Sequence, residues 1–143
     1  MTGADLAAEE QLAIQQLYAR QSHAIDSRDA RGWAACFTSD GAFRSPTYGA
    51  PVVGTEALTA FAEEFAQAAA DAGIVRRHWT TALALESETH DSVAARCYAM
   101  VLATAAGERP VIERTVVFHD RLVRRNGRWL IEERQVRVDG RAA

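Results

Sequence analysis

The sequence predicts an α+β fold, with helices in its first half and an antiparallel sheet in its second. Apolar residues recur at helical spacing through residues 5–25 and again from Thr55, which indicates two amphipathic helices. The second half contains long segments with strand-like alternation. Two of them flank Asn126 and Gly127, a pair that favours a two-residue hairpin because both residues accept positive φ at low cost. Helices and strands are therefore segregated along the chain, as in α+β domains.

Three helices are predicted. The first spans residues 5–25, and Asp29 can cap the start of a second, short helix from Ala30 to Phe37. The third begins at Thr55 and ends near Gly73, which can adopt the left-handed conformation of a helix cap.

Between the second and third helices, the sequence predicts a turn followed by short strands or a loop. Residues 38–41 have the composition of a turn. Residues 42–48 and 50–53 are interrupted by Pro46, Gly49 and Pro51, which suits edge strands or a loop at the mouth of a pocket.

The sheet is predicted from three further segments. Residues 74–86 and 93–104 form two long strands around a turn at residues 87–92, and residues 109–140 contain the hairpin.

Alternation assigns the two faces of the hairpin. The inward-facing residues are Val116, Phe118, Asp120, Leu122, Trp129, Ile131, Glu133, Gln135 and Arg137. The apolar residues of the outward face are Val117, Val123, Leu130, Val136 and Val138. An outer face of this composition is too apolar to stay exposed to water, so we expect a homodimer or homotrimer formed through the sheet.

Composition excludes several classes of protein. A length of 143 residues suits a single domain covering residues 1–143, and a net charge of −3 offers no basic surface for nucleic acid or an anionic membrane. All sixteen positively charged residues are arginine, which excludes Schiff-base chemistry on lysine and suggests a GC-rich bacterial genome. No membrane span or signal peptide is evident, and Cys36 and Cys97 are far apart, as expected of buried thiols in a reduced cytoplasmic protein.

No motif for a cofactor or metal is present. The four histidines lack the spacing of a zinc site, and glycine-rich phosphate loops and the nucleophile elbow of serine hydrolases are missing. We therefore expect no cofactor and no metal.

Four segments in order resemble the SnoaL-like branch of the nuclear transport factor 2 superfamily over nearly the whole chain. They are IQQLYARQSHAIDSRDARGWAACFTSDGAF, GTEALTAF, RRHWTTALAL and FHDRLVRRNGRWLIEERQVRV. The resemblance implies a cone of three helices packed on a strongly curved, mostly antiparallel sheet, with a deep pocket whose back wall is the hairpin. Proteins with this fold include enzymes, binding modules and enzyme subunits.

Within this branch the chain is similar to cofactor-free dehydratases such as scytalone dehydratase and bile-acid 7α-dehydratase. Those enzymes share an aspartate at the end of the first helix and a histidine on the first long strand, which correspond to Asp26 and His78. A pocket arginine of the bile-acid enzyme corresponds to Arg137.

Three departures from that pattern predict a more apolar pocket with altered chemistry. Gln21 or Ser22 replaces a pocket tyrosine on the first helix. The carboxylate or histidine that would fall near Val101 is absent, and Phe118 replaces a tyrosine.

Dehydration of a β-hydroxy carbonyl compound requires a base for the α-proton, an acid for the departing hydroxyl and a donor for the enolate oxygen. His78 can serve as base and then acid, while Asp26 bonded to its other nitrogen fixes the tautomer. His78 is expected to share a face with the small residues Thr80, Ala82 and Ala84, which would leave space above it.

Each candidate also has a purely structural alternative. His78 could be a hydrogen-bonded core histidine, Asp26 could cap the turn after the first helix, and His23 could compete with His78 for Asp26. Asp120 is either a second pocket carboxylate or the partner of an arginine in the sheet, and Arg137 binds either a ligand or a neighbouring subunit. Further candidates for lining the cavity are Tyr18, Gln21, Tyr98 and Phe118, of which Tyr18 and Tyr98 could equally be core residues.

The sequence therefore predicts a cofactor-independent lyase or isomerase with dehydratase-like chemistry on a mostly apolar, cyclic small molecule such as a polyketide, terpenoid or steroid. Two alternatives stay open. One is a non-catalytic binding or partner subunit like the small subunit of ring-hydroxylating dioxygenases. The other is a cyclase that acts by shaping its substrate.

Overall fold

The computed structural model describes residues 6–140 as three helices packed on one six-stranded sheet. The strand order is β2-β1-β6-β5-β4-β3; β1 and β6 are parallel and every other neighbouring pair is antiparallel. The predicted α+β fold with a mostly antiparallel sheet is confirmed. The elements are α1 Ala8–Asp26, α2 Ala30–Ala34, β1 Phe37–Arg44, β2 Val52–Val53, α3 Thr55–Ala72, β3 Ile74–Thr89, β4 Ser92–Ala105, β5 Val111–Arg125 and β6 Arg128–Val138.

Helices α1 and α3 end close to the predicted positions, and α2 begins at the predicted residue. Helix α1 begins at Ala8, and position 5 lies outside the described residues. The Asp29 carboxylate accepts a hydrogen bond from the Gly32 backbone N–H at 2.9 Å and caps α2, as predicted. Helix α3 ends at Gly73, whose φ of 67° is the predicted left-handed cap.

The prediction for residues 35–41 is wrong. Helix α2 ends at Ala34, and the predicted turn at residues 38–41 belongs to strand β1. A tertiary contact makes this segment a strand, because β6 would otherwise have an unpaired edge. Phe37 pairs with Ile131, and the Ile131 N–H donates to the Cys36 carbonyl at 2.8 Å.

The hairpin forms as predicted, with φ of 53° at Asn126 and 75° at Gly127. Away from the turn, the register between β5 and β6 shifts by one residue. Leu122 pairs with Ile131, whereas Arg121 pairs with Glu133. Glu132 is thus the extra residue of a β-bulge, and beyond it every side chain of β6 changes face.

This bulge corrects the predicted faces of β6. Arg137 is exposed, whereas Arg134 and Val136 are buried on the inner face. Val138 packs against the core. The prediction that Val136 and Val138 lie on the outer face is therefore wrong.

A second bulge, in β3, also corrects the sequence analysis. Thr81 pairs with Tyr98 but Ala84 pairs with Arg96, and Ala82 has a positive φ of 54°. His78 and Thr80 keep the predicted inward direction, but Ala82 and Ala84 are exposed and do not extend the pocket wall.

The core fills the space between α1, α3 and the concave face of the sheet. Ile14, Leu17, Leu58, Leu122 and Ile131 are its most fully buried large side chains. Both cysteines are buried and free. No helix within residues 6–140 is long and apolar enough to cross a membrane, and the same residues contain no cluster of three His, Cys, Asp or Glu side chains suited to a metal ion.

Candidate active site

A cavity lies between the helices and the concave face of the sheet. The volume open to the centre of a water molecule is about 90 Å³. The cavity therefore has room for several water molecules or for a small organic ligand. Its apolar wall consists of Ile25, Trp33, Phe43, Tyr48, Phe61, Phe65, Val101, Val116, Phe118 and Val136. Its polar lining consists of Gln21, Ser22, Ser45, His78, Thr80, Glu113, Arg114 and Arg134.

The structure brings Asp26 and His78 together at this cavity. Asp26 is the last residue of α1, and His78 lies on the inner face of β3. The His78 Nδ1 atom is 2.7 Å from Asp26 Oδ1, and the His78 backbone N–H donates to Oδ2 at 3.0 Å. Both side chains are largely buried. Asp26 therefore holds both the ring and the main chain of His78 in place.

The other ring nitrogen of His78, Nε2, has no hydrogen-bond partner among residues 6–140. The ring packs beside Phe65, with centroids 5.7 Å apart. His23, which could have competed for Asp26, is exposed and makes no hydrogen bond to it. An imidazole held at Nδ1 by a carboxylate, with Nε2 free at a cavity, can exchange a proton with a bound molecule.

A buried polar network extends from the inner wall of the cavity into the protein. Arg134 donates from Nε to Asp120 Oδ1 at 2.9 Å and from Nη2 to Oδ2 at 2.8 Å. Its Nη1 donates to Gln21 Oε1 at 2.6 Å, and the Tyr18 hydroxyl donates to Asp120. The side chains of Arg134 and Asp120 are 3% and 0% exposed, so this is a buried bidentate ion pair.

The network keeps fixed protonation states. Burial disfavours the charge of Arg134, but the attraction and hydrogen bonds of Asp120 outweigh it, so the pKa of Arg134 lies above its ordinary value. Burial and the Asp120 charge raise the pKa of the Tyr18 phenol. Burial likewise raises the pKa of the Cys97 thiol to about 12. Arg134 is thus a permanent cation, and Tyr18 and Cys97 are neutral at physiological pH.

Only some of the predicted site residues line the cavity. Gln21, His78 and Phe118 do, and the Phe118 ring centroid lies 3.9 Å from the Arg134 guanidinium carbon. Tyr18 and Asp120 lie behind the wall and act through Arg134. The structural alternative for Asp120, pairing with an arginine of the sheet, is the one observed.

Two predicted residues lie outside the cavity. Tyr98 is 60% exposed on the outer face of the sheet, because β4 alternates and Tyr98 points opposite to its buried neighbours Cys97 and Ala99. Arg137 is directed outward by the bulge at Glu132 and lies in a surface depression beside Pro46.

Arg134 is the important residue that the sequence analysis missed. An unbroken register from the hairpin turn would pair Asp120 with Glu133, two like charges, which destabilises a sheet. A one-residue bulge pairs Asp120 with Arg134 instead. That charge conflict was the available sequence signal for the bulge.

Charged residues form the outer rim of the cavity. The Arg76 guanidinium contacts Glu113 at 3.1 Å and lies 5.0 Å from the Phe65 ring centroid. Arg114 lies 6.0 Å from the centroid of the half-exposed Tyr48 ring. The rim is thus polar and the interior largely apolar, as in small-molecule sites.

Comparisons with known proteins identify the family and the fold. Residues 7–135 match the family model described as the SnoaL-like domain. No curated protein sequence matches the chain.

Solved structures are similar over nearly the full length. ActVI-ORFA from Streptomyces coelicolor is 30% identical, with 96% of this chain and 100% of that chain covered and a TM-score of 0.87. A Catenulispora acidiphila protein in complex with S-DNPA is 33% identical, with 93% and 96% covered and a TM-score of 0.81. An NTF2-like protein with a cystatin-like fold from Novosphingobium aromaticivorans is 24% identical, with 94% and 85% covered and a TM-score of 0.82, a likeness that shows the fold alone.

Proposed function

The chain belongs to the SnoaL-like domain family, and on this premise we propose that it is a cofactor-independent lyase or isomerase acting on a mostly apolar, cyclic small molecule. A polyketide, terpenoid or steroid suits the proposal. The shape of the cavity, its apolar wall and the binding of S-DNPA by the Catenulispora acidiphila protein support a small-molecule ligand.

The observation that carries the proposal is the Asp26–His78 pair at the cavity wall, joined by the 2.7 Å contact between Oδ1 and Nδ1. In the reaction, His78 Nε2 takes the α-proton of a bound ketone and then returns it to the departing hydroxyl. Asp26 fixes the tautomer that leaves Nε2 able to accept, and stabilises the imidazolium that forms.

The experiment is a thermal-shift screen of cyclic hydroxy-ketones, steroids and polyketide-like aromatics, followed by product analysis of each hit. The Asp26→Asn variant is expected to bind the same hits but to turn them over roughly 10²-fold more slowly, at the lower end of an acid–base contribution, because Asp26 orients the base without reacting itself. Asp29→Asn is the matched control, since Asn caps α2 as well as Asp does.

Other outcomes would redirect the assignment. Stabilisation of both proteins by ligands, with no product from either, would contradict catalysis and indicate a binding or partner subunit. Equal turnover by wild type and Asp26→Asn would contradict the role of the pair.

We also propose that the protein forms a homo-oligomer through the outer face of β3 and β4. Trp79 and Tyr98 are each 60% exposed there, side by side with Met100. Two large aromatic side chains exposed together are typical of an interface. The two free, buried thiols support a reducing compartment, and we propose a cytoplasmic location.

The oligomer is tested by sedimentation at micromolar concentration. Wild type is expected as a dimer or trimer and Tyr98→Glu as a monomer, because a buried unpaired carboxylate is costly. Ala13→Glu, on the exposed surface of α1, adds the same charge and should leave the assembly unchanged. A monomeric wild type would contradict the proposal.

A further inference from the structure

One glutamate and two arginines line the cavity, and only one of the three has no ion-pair partner. Glu113 binds Arg76 at 3.1 Å, and Arg134 binds both oxygens of Asp120. The third is Arg114, and none of the ion pairs among residues 6–140 includes it. The cavity therefore has one arginine whose charge no carboxylate of the described chain neutralises.

A β-bulge brings Glu113 to the rim of the cavity beside Arg114. Val101 of β4 pairs with Arg114, whereas Leu102 pairs with Ile112, so Glu113 is the extra residue of β5. Neighbouring residues of a regular strand point to opposite faces, but these two consecutive residues line the same cavity. Bulges occur preferentially next to functional sites, where they redirect a side chain. This one supplies the carboxylate that Arg76 binds, and Arg114 is left unpaired beside it.

The contact that Arg114 does make leaves its hydrogen-bond donors available. The guanidinium carbon lies 6.0 Å from the centroid of the Tyr48 ring, which is 40% exposed at the rim. A cation–π contact attracts the charge to the face of the ring, and it provides no oxygen acceptor for the five N–H groups of the guanidinium. Arg114 is half-buried, so it has lost part of its hydration without gaining a protein acceptor.

The chemistry of this position favours a single carboxylate as its ligand. The planar guanidinium presents parallel N–H donors that match the two oxygens of a carboxylate. A phosphate dianion suits the position less well, because the Glu113 carboxylate on the same rim repels a second negative charge. The wall beyond the rim is largely apolar, so the rest of the ligand is apolar as well.

From these observations we infer that Arg114 binds a carboxylate group of the substrate at the rim, which makes the substrate class a cyclic, mostly apolar carboxylic acid. The inference rests on the proposed function and deepens it by naming an ionised group that the substrate carries. Arg114 determines specificity and takes no part in the proton transfer by His78.

The test uses a matched pair of probes, 2-naphthylacetate and 2-naphthylacetamide, which share a ring system and differ in charge. Affinities are measured by titration calorimetry at about pH 7, where the acid is ionised. Wild type is expected to bind the acid on the order of tenfold more tightly than the amide, the value of a charge-assisted hydrogen bond at a partly exposed site. Because the rim is open to solvent, this preference should shrink as salt rises from roughly 0.05 M to 0.5 M.

Arg114→Gln removes the charge but keeps a polar side chain, so the preference for the acid should disappear. Arg77→Gln is the matched control, since it removes the same charge from an exposed position of β3 and should keep the preference. Equal affinity of wild type for the two probes, no detectable binding of the acid, or a preference that Arg114→Gln retains would overturn the inference. Should Arg114→Gln not fold, a preference of wild type that salt leaves unchanged would overturn it equally.

His78→Ala separates this inference from the proposed function. Binding of the acid requires no proton transfer, so His78→Ala should keep the preference, and its loss there would contradict the role of Arg114. Slower turnover in His78→Ala, with equal affinity of wild type for the two probes, would support the function and reject the carboxylate site. A preference that depends on Arg114, in a protein that converts no ligand, would support the carboxylate site and reject the function.

Discussion

Replacing His78 with alanine is expected to slow turnover by roughly 10²–10⁴-fold, the usual contribution of one general acid–base group. His78 is held by Asp26 at Nδ1 and lines the cavity, so its removal deletes the proposed proton carrier. The measurement is the single-turnover rate on a hit from the ligand screen, where binding and chemistry are separated.

His23→Ala is the matched control for this change. His23 lies one helical turn before Asp26, is exposed, and makes no hydrogen bond to it, so turnover should stay at the wild-type rate. An unchanged rate in His78→Ala would reject acid–base catalysis and favour a cyclase that acts by shaping its substrate.

Replacing Arg134 with methionine is expected to lower the free energy of unfolding by about 3–5 kcal/mol, because Asp120 would then be a buried charge without a cation. The pair is nearly inaccessible to solvent, so water cannot compensate. The measurement is the midpoint and slope of urea unfolding followed by circular dichroism.

Arg44→Met provides the comparison at an exposed pair. Arg44 and Glu133 meet at 2.8 Å, but their side chains are 41% and 50% exposed, so we expect a loss below about 1 kcal/mol. The double variant Asp120→Leu/Arg134→Met should recover much of the loss, since removing both charges leaves none uncompensated. A loss for Arg134→Met as small as that for Arg44→Met would contradict this account of the network.

The sequence by itself determined the local elements. Helical periodicity, the Asp29 cap and the left-handed Gly73 set α1, α2 and α3 near their predicted positions, and Asn126 with Gly127 set the hairpin turn. Each of these signals depends on residues that are close together in the sequence, so it can be recognised without knowing the rest of the fold. The pairing of Asp26 with His78 was predicted from a family resemblance that covers nearly the whole chain.

The tertiary structure alone decided which side chains of the hairpin face the cavity. Residues 38–41 belong to a strand because β6 offers them an edge, although their composition favours a turn. A single extra residue at Glu132 turns Arg137 outward and Arg134 inward, and with Arg134 it creates the buried network that orients Gln21. Alternation has a period of two, so one bulge reverses every residue beyond it. A bulge is set by pairing across strands, by charge and by curvature, none of which is contained in the pattern of one strand.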